Sequence, residues 1–225
     1  MKSNNTLLNR REKFTRTTSV YAVSGEEFLH GKTDRQWLEG VLAGGAKIVQ
    51  LRDKKSPDRI LLEKARFFRR LTLEADALFL VNDRPDIAQL SGADGIHVGN
   101  DDLLPEDIHS LAPDLLIGVS CNTLEQASSL GQMVRERRSA AAYFNIGPLF
   151  ATQTKKETRL PLGPGAIAEF SALCPLPFTV MGGIKLRHVP VLMAAGARRI
   201  AVVTALTAAA DIAGETRQWM EAMGR

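Results

Sequence analysis

The 225-residue chain is poor in cysteine and has no long apolar run, and each absence removes a class of protein. Its two cysteines, Cys121 and Cys174, are too few for a disulfide scaffold and stand in no paired C-x-x-C arrangement, which excludes both a small secreted fold and a zinc ribbon. No apolar stretch nears the roughly 20 residues that span a bilayer, and the start of the chain lacks the apolar segment of a secretory signal. The expectation is a soluble, cytoplasmic protein with no membrane partner. Charge of one sign is also missing from the body of the chain. The formal net charge is +4, yet residues 1–16 hold Lys2, Arg10, Arg11, Lys13 and Arg16 against Glu12 alone, and the remaining 209 residues balance at 24 basic and 24 acidic. A groove tracking a nucleic-acid backbone needs a cationic excess within the folded part, so nucleic acid is not an expected partner.

Residues 1–19 mix Asn, Thr, Ser, Lys and Arg with few large apolar side chains, and read as a basic, flexible N-terminal extension. The same composition also fits an organelle transit peptide. From Val20 to the end at residue 225 a single catalytic domain is expected.

That domain alternates short apolar runs with stretches of helical period, the pattern of repeated β-α units. Eight runs stand out: Val20-Ser24, Ala46-Arg52, Leu78-Asp83, Gly95-Gly99, Leu116-Ser120, Tyr143-Gly147, Phe178-Gly182 and Arg199-Thr204. Most are continuously apolar, as parallel strands covered on both faces are. Thr33 with Gln36, and Thr123 with Gln126, fit capping boxes, Ser56-Pro57 an N-cap before a first-turn proline, and Leu104-Pro105-Glu106-Asp107 an acidic first turn. After Ser56, the apolar members of Ile60, Leu61, Lys64, Ala65, Phe68 and Leu71 make a stripe able to cover a sheet. Eight regularly spaced units without a linker predict an α/β fold, a single (β/α)8 TIM barrel, with a doubly wound open sheet as the alternative.

Barrels of this kind carry their sites at the carboxyl ends of the strands, where this chain is polar. Gln50, Arg52 and Lys54 alternate with Leu51 and Asp53 along run two, and two cations with an amide suit a polyanion, the rival being solvated loop charges at Lys54 and Lys55. Asp83 and Asp102 follow neighbouring runs, an ordinary arrangement for Mg²⁺; an N-cap role for one acid, or an acid-base pair without metal, are the other readings. Gly182-Gly183 and Ala201 to Thr204 lie where barrels often bind phosphate, and Thr152, Thr154 and Lys155 could add hydroxyls and charge. His97, inside an apolar run, reads as structural, and Cys121 and Cys174 carry no evident chemistry.

Taken together these segments resemble the thiamine phosphate synthase and thiazole tautomerase family. The resemblance runs from Val20 to about Ala209. It rests on Gly44-Gly45 leading into Val49-Gln50-Leu51-Arg52-Asp53-Lys54, on Val81-Asn82-Asp83, on Ala93-Asp94-Gly95-Ile96-His97-Val98-Gly99, on Gly118-Val119-Ser120, on Gly147-Pro148-Leu149-Phe150-Ala151-Thr152-Gln153-Thr154-Lys155, and on Gly182-Gly183-Ile184. It implies a Mg²⁺-dependent transferase of thiamine biosynthesis that joins 4-amino-2-methyl-5-hydroxymethylpyrimidine diphosphate to thiazole phosphate, plain or carboxylated, releasing pyrophosphate by a dissociative route. On the matching positions, Gln50, Leu51, Arg52, Asp53, Lys54, Asn82, Ser120 and Lys155 would meet the pyrimidine diphosphate, with Arg52, Lys54, Ser120 and Lys155 as the catalytic group. Asp83 and Asp102 would bind Mg²⁺. Thr152, Gln153, Thr154, Gly183, Val203 and Thr204 would hold the thiazole phosphate. The implied partners are small phosphorylated molecules, and a homo-oligomer is compatible with the sequence.

Three departures stand out. Asn100 and Asp101 replace the family's usual glutamine and glutamate, both shortenings that keep the chemical type. The family's Ser-x-His is here Ser120-Cys121-Asn122, and an amide cannot move the proton that a tautomerase needs. This disfavours a tautomerase, while a non-catalytic barrel that binds thiazole or thiamine phosphate would keep the fold and lose turnover.

Overall fold

Strand pleat decides how this chain is layered. In the computed structural model, which describes the backbone of residues 2–152 and 160–225 and side chains from residue 6 onward, each strand sends alternate residues inward and outward. The order is α1 (Lys2–Arg16), β1 (Val20–Val23), α2 (Asp34–Ala43), β2 (Ile48–Leu51), α3 (Asp58–Glu74), β3 (Leu78–Asn82), α4 (Pro85–Ser91), β4 (Gly95–Val98), α5 (Pro105–Leu111), β5 (Leu116–Cys121), α6 (Leu124–Arg135), β6 (Tyr143–Ile146), α7 (Ala166–Leu173), β7 (Phe178–Val180), α8 (Val189–Ala194), β8 (Ile200–Val202), α9 (Thr204–Thr207) and α10 (Ile212–Ala222). The eight strands pair in parallel, each with its sequence neighbour, and β1 closes on β8 through Val20↔Ile200, Tyr21↔Ala201 and Ala22↔Val202. The expected TIM barrel is therefore the observed one. No helix among the described residues is long and apolar enough to cross a membrane.

Outward residues such as Val49, Leu51, Phe79, Val81, Ile96, Ile117 and Phe144 are buried between strands and helices. Inward residues make a second, smaller cluster that includes Tyr21, Val23, Ile48, Leu78, Leu80, Leu116 and Tyr143. Tyr143 crosses the interior over Gly118, where a Cβ would lie 2.0 Å from its ring, so β5 must be bare at that point. The helices seal the outside as their caps predict. Thr33–Gln36 and Thr123–Gln126 both form complete capping boxes. The start of α3 differs by one residue: Pro57 takes the cap position, and the buried stripe is Leu61, Ala65, Phe68 and Thr72, leaving Ile60 exposed.

The N-terminal segment departs from expectation. Residues 2–16, read from composition as flexible, form α1, which lies across the amino-terminal end of the barrel. Phe14, 1% exposed, stacks on Tyr143 with ring centroids 4.4 Å apart, and the Arg199 guanidinium sits 4.8 Å above its ring. The basic residues are not simply solvated. Arg10 pairs with Asp94 at 3.2 Å and bonds the Asp114 carbonyl, Lys13 pairs with Asp76, and these acids all lie in loops that enter strands. Asp94 is itself held by Arg69 at 2.7 Å and by the Phe79 N–H at 2.9 Å. Composition missed this because one aromatic and a few well-placed charges suffice to dock a helix once the barrel presents an open apolar floor.

Deleting a buried aromatic typically costs about 3–5 kcal/mol. Phe14→Ala should lower unfolding stability by that order in urea titrations with the slope unchanged. A loss below about 1 kcal/mol would mean that α1 adds little to the fold.

Candidate active site

Inward positions turn polar in the last turn of the strands, and there the barrel opens into a cavity of about 620 Å³. Gln50 and Arg52 reach it from β2, Asn82 and Asp83 from β3, His97 and Gly99 from β4, Ser120 and Asn122 from β5, and Asn145 from β6. Lys54, Asp102, Thr152, Gly183, Val203 and Thr204 also line it. Of the expected site residues, Gln153, Thr154 and Lys155 lie outside the described residues.

Leu51 and Asp53 point elsewhere. The period of two that turns Gln50 and Arg52 inward turns these outward. Leu51 is buried in the outer core, and the Asp53 carboxylate, 2% exposed, bonds Lys64 Nζ at 2.7 Å and accepts the N–H groups of Lys55 and Ser56 at 3.0 and 2.9 Å. Lys64 also pairs with Asp34 at 3.0 Å and Glu26 at 3.4 Å, so Asp53 ties the β2 loop to α2 and α3.

Two carboxylates face each other at the rim. Asp83 has a left-handed backbone, φ 61°, a conformation that Asp tolerates better than most residues, and its N–H bonds the His97 carbonyl at 2.9 Å. Its Oδ2 receives Lys54 Nζ at 2.6 Å. Asp102 folds back so that its Oδ2 accepts the Gly99 N–H at 2.7 Å. Burial and the nearby Asp83 carboxylate push its pKa up, against the Gly99 bond and Lys54. Two oxygens whose charges oppose one another are suited to a hard divalent cation, which keeps several waters and takes only one or two protein carboxylates.

The cations have other partners as well. Glu27, in the short turn after β1, lies 3.6 Å from Arg52 and 3.6 Å from Lys55. Neither Glu26 nor Glu27 belongs to a sequence motif, and the short turn after β1 is what brings them to the cavity. His97 belongs to the site wall: its Nε2 is 3.1 Å from Ser120 Oγ. Asn122 donates to the Gly147 carbonyl at 2.5 Å and accepts from Asn100 at 3.1 Å, linking the ends of β4, β5 and β6.

On the opposite side, Gly182 and Gly183 adopt φ 102° and 60° against the loop after β6. A Cβ on Gly183 would lie 2.2 Å from the Ala151 carbonyl, so backbone meets backbone here and side chains are excluded.

Burial opposes the charge on Asp53, but Lys64 and the bonds from Ser56 and Lys55 outweigh it and hold the carboxyl below its ordinary range. A depressed folded pKa gives stability that is present above the unfolded value, about 3.9, and is lost as pH falls through the folded one. Asp53→Asn should therefore cost roughly 1–3 kcal/mol at pH 7, with the deficit shrinking below about pH 4. Urea unfolding at both pH values checks this; a pH-independent deficit would contradict it.

The comparisons with known proteins bear on the family and the fold. Residues 20–206 match the family described as thiamine monophosphate synthase. Thiamine-phosphate synthase from Shouchella clausii is 38% identical over 205 residues, covering 91% of this chain and 95% of that one. The thiamine-phosphate synthase of Halalkalibacterium halodurans is 36% identical over 196 residues, covering 87% and 90%. Among solved structures, thiamine phosphate pyrophosphorylase from Pyrococcus furiosus superposes with a TM-score of 0.82 at 28% identity, covering 94% of this chain and 98% of that one. With β1 to β8 all inside the matched span and the polar strand ends converging on one cavity, the chain belongs to the thiamine monophosphate synthase family.

Proposed function

We infer that the protein, a transferase of thiamine biosynthesis by its family, joins 4-amino-2-methyl-5-hydroxymethylpyrimidine diphosphate to thiazole phosphate at this cavity, in the cytoplasm. The carrying observation is the juxtaposition of Arg52, Lys54 and the Asp83–Asp102 pair on adjacent strand ends of one cavity.

The reaction breaks the carbon–oxygen bond of the pyrimidine methylene, whose electron pair leaves with pyrophosphate, and the thiazole nitrogen then supplies the pair of the new carbon–nitrogen bond. The difficult moment is the growth of negative charge on the leaving oxygen. Arg52 offers a planar fork and Lys54 a point charge to that region. Asp83 and Asp102 would hold Mg²⁺, which when bound supplies further positive charge to the departing pyrophosphate. Gln50, Asn82 and Ser120 would orient the pyrimidine half, and Lys155, carried over by resemblance, would add a cation from the loop after β6.

For the thiazole phosphate, the supporting feature is the side-chain-free Gly183 together with Val203 and Thr204 at the start of α9, all of which line the cavity. This is where barrels commonly place a phosphate. Thr152 and, from the resemblance, Gln153 and Thr154 would complete that side. The Asn122 amide already bridges Gly147 and Asn100 and cannot shuttle a proton near neutral pH, which favours synthase over tautomerase.

Purified protein given both substrates should form thiamine phosphate and pyrophosphate in equal amounts and only with a divalent cation. Absence of metal-dependent product would refute the assignment. Removing one preorganised charge contact from a developing anion commonly costs about 10²–10³ in rate. Arg52→Ala and Asp102→Asn should each lower kcat/KM by that order, and Asp102→Asn should raise the Mg²⁺ concentration needed for half-maximal rate.

A further inference from the structure

A file of hydrogen-bonded side chains crosses the barrel interior beneath the cavity. Gln50 Nε2 donates to the Tyr21 hydroxyl at 2.6 Å, the Tyr21 and Tyr143 hydroxyls are 3.1 Å apart, the Tyr143 hydroxyl is 3.0 Å from His97 Nδ1, and His97 Nε2 is 3.1 Å from Ser120 Oγ. Its five members come from five strands. Gln50, His97 and Ser120 line the cavity, whereas Tyr21 and Tyr143 lie below it, 2% and 0% exposed. Burial raises the pKa of both phenols, so each stays neutral and carries one proton.

That single proton gives the file a direction. An amide nitrogen has no lone pair to offer, so Gln50 Nε2 donates and Tyr21 accepts. Tyr21 must then spend its own proton on Tyr143, because a buried hydroxyl proton without an acceptor is costly. Tyr143 in turn donates to His97 Nδ1. The imidazole is left with its proton on Nε2, facing Ser120 Oγ, and the Ser120 hydroxyl proton is released toward the cavity. With Gln50 turned to present its carbonyl, every bond would reverse and Ser120 would offer the cavity only lone pairs.

We propose that Tyr143 and His97 are positioning residues for Ser120: the file holds His97 as the Nε2–H tautomer and makes the Ser120 hydroxyl a donor to an acceptor atom of the bound substrate. This rests on the reading above that Ser120 meets the pyrimidine diphosphate. The packing holds the file in place. Phe14 stacks on the Tyr143 ring from below, and the bare Gly118 gives that ring its room.

The test uses the full-length protein labelled with ¹⁵N-histidine and free of ligand, with the His97 signals assigned by their loss in His97→Gln. Long-range proton–nitrogen spectra should show a protonated Nε2 and an unprotonated Nδ1, and Tyr143→Phe should shift His97 toward a mixture of tautomers. In steady-state assays Tyr143→Phe and Ser120→Ala should each lower kcat about five- to tenfold, the worth of one neutral hydrogen bond, and the double variant should be no slower than Ser120→Ala alone. Thermal unfolding verifies that Tyr143→Phe folds, and Tyr21→Phe serves the same comparison if it does not. An Nδ1–H tautomer in the wild-type protein overturns the direction of the file, and effects that multiply in the double variant overturn the coupling. Wild-type turnover in Ser120→Ala would instead remove the role given to Ser120 under the functional reading, and the histidine spectrum tells the two failures apart.

Discussion

The two-residue period of eight short parallel strands is the constraint on which everything else here depends. It sends Val49, Leu51, Phe79, Val81, Ile96 and Ile117 outward to the helices and leaves the interior to Tyr21, Ile48, Leu80 and Tyr143. Because the inward positions become polar only in the last turn, one repeat builds both an apolar plug and a polar mouth. Gln50, Asn82, His97, Ser120 and Asn145 all occupy inward positions on or near the upper turn of their strands. A shift of one residue in β2 would turn Gln50 and Arg52 toward the helices and Leu51 toward the cavity.

The same rule explains what could and could not be read from the sequence. The eight strands and the barrel were legible because continuous apolar runs at regular spacing leave few other solutions. Arg52, Lys54, Asp83 and Asp102 were legible as a group because they follow neighbouring strands. Leu51 and Asp53 were drawn into the site by belonging to a contiguous motif, although their parity with Gln50 and Arg52 already separated them. Glu27 carries no motif of its own, and its approach to Arg52 and Lys55 depends on the turn after β1. His97 looked structural in an apolar run; it is structural below, through Tyr143, and faces the cavity through Ser120. The docking of α1 was hidden for a different reason: composition averages over residues, and Phe14 acts singly.

Electrostatics at the mouth follow from pairing more than from total charge. The net +4 of the chain says nothing about the cavity, where Lys54 meets Asp83 and Arg52 meets Glu27. Cations paired in this way avoid mutual repulsion without ligand, yet Lys54 remains exposed enough to exchange partners. Surface pairs of this kind are worth little individually. Under the proposed function they would hold long side chains near the place where the diphosphate binds, so that fewer rotamers are lost on binding.

The floor and the mouth of the barrel are joined through one residue. Tyr143 stacks on Phe14 below, passes over Gly118, and bonds upward to His97, which reaches Ser120. A ring held on both faces has little freedom to swing, and a phenol that cannot swing keeps its hydroxyl on the imidazole. The aromatic packing that closes the amino-terminal end therefore also limits where a hydrogen-bond donor can point at the carboxyl-terminal end. Stability and the proposed orienting role of Ser120 draw on the same contacts, so a substitution that loosens α1 should be felt in the geometry around Ser120 even though no described residue of α1 lines the cavity.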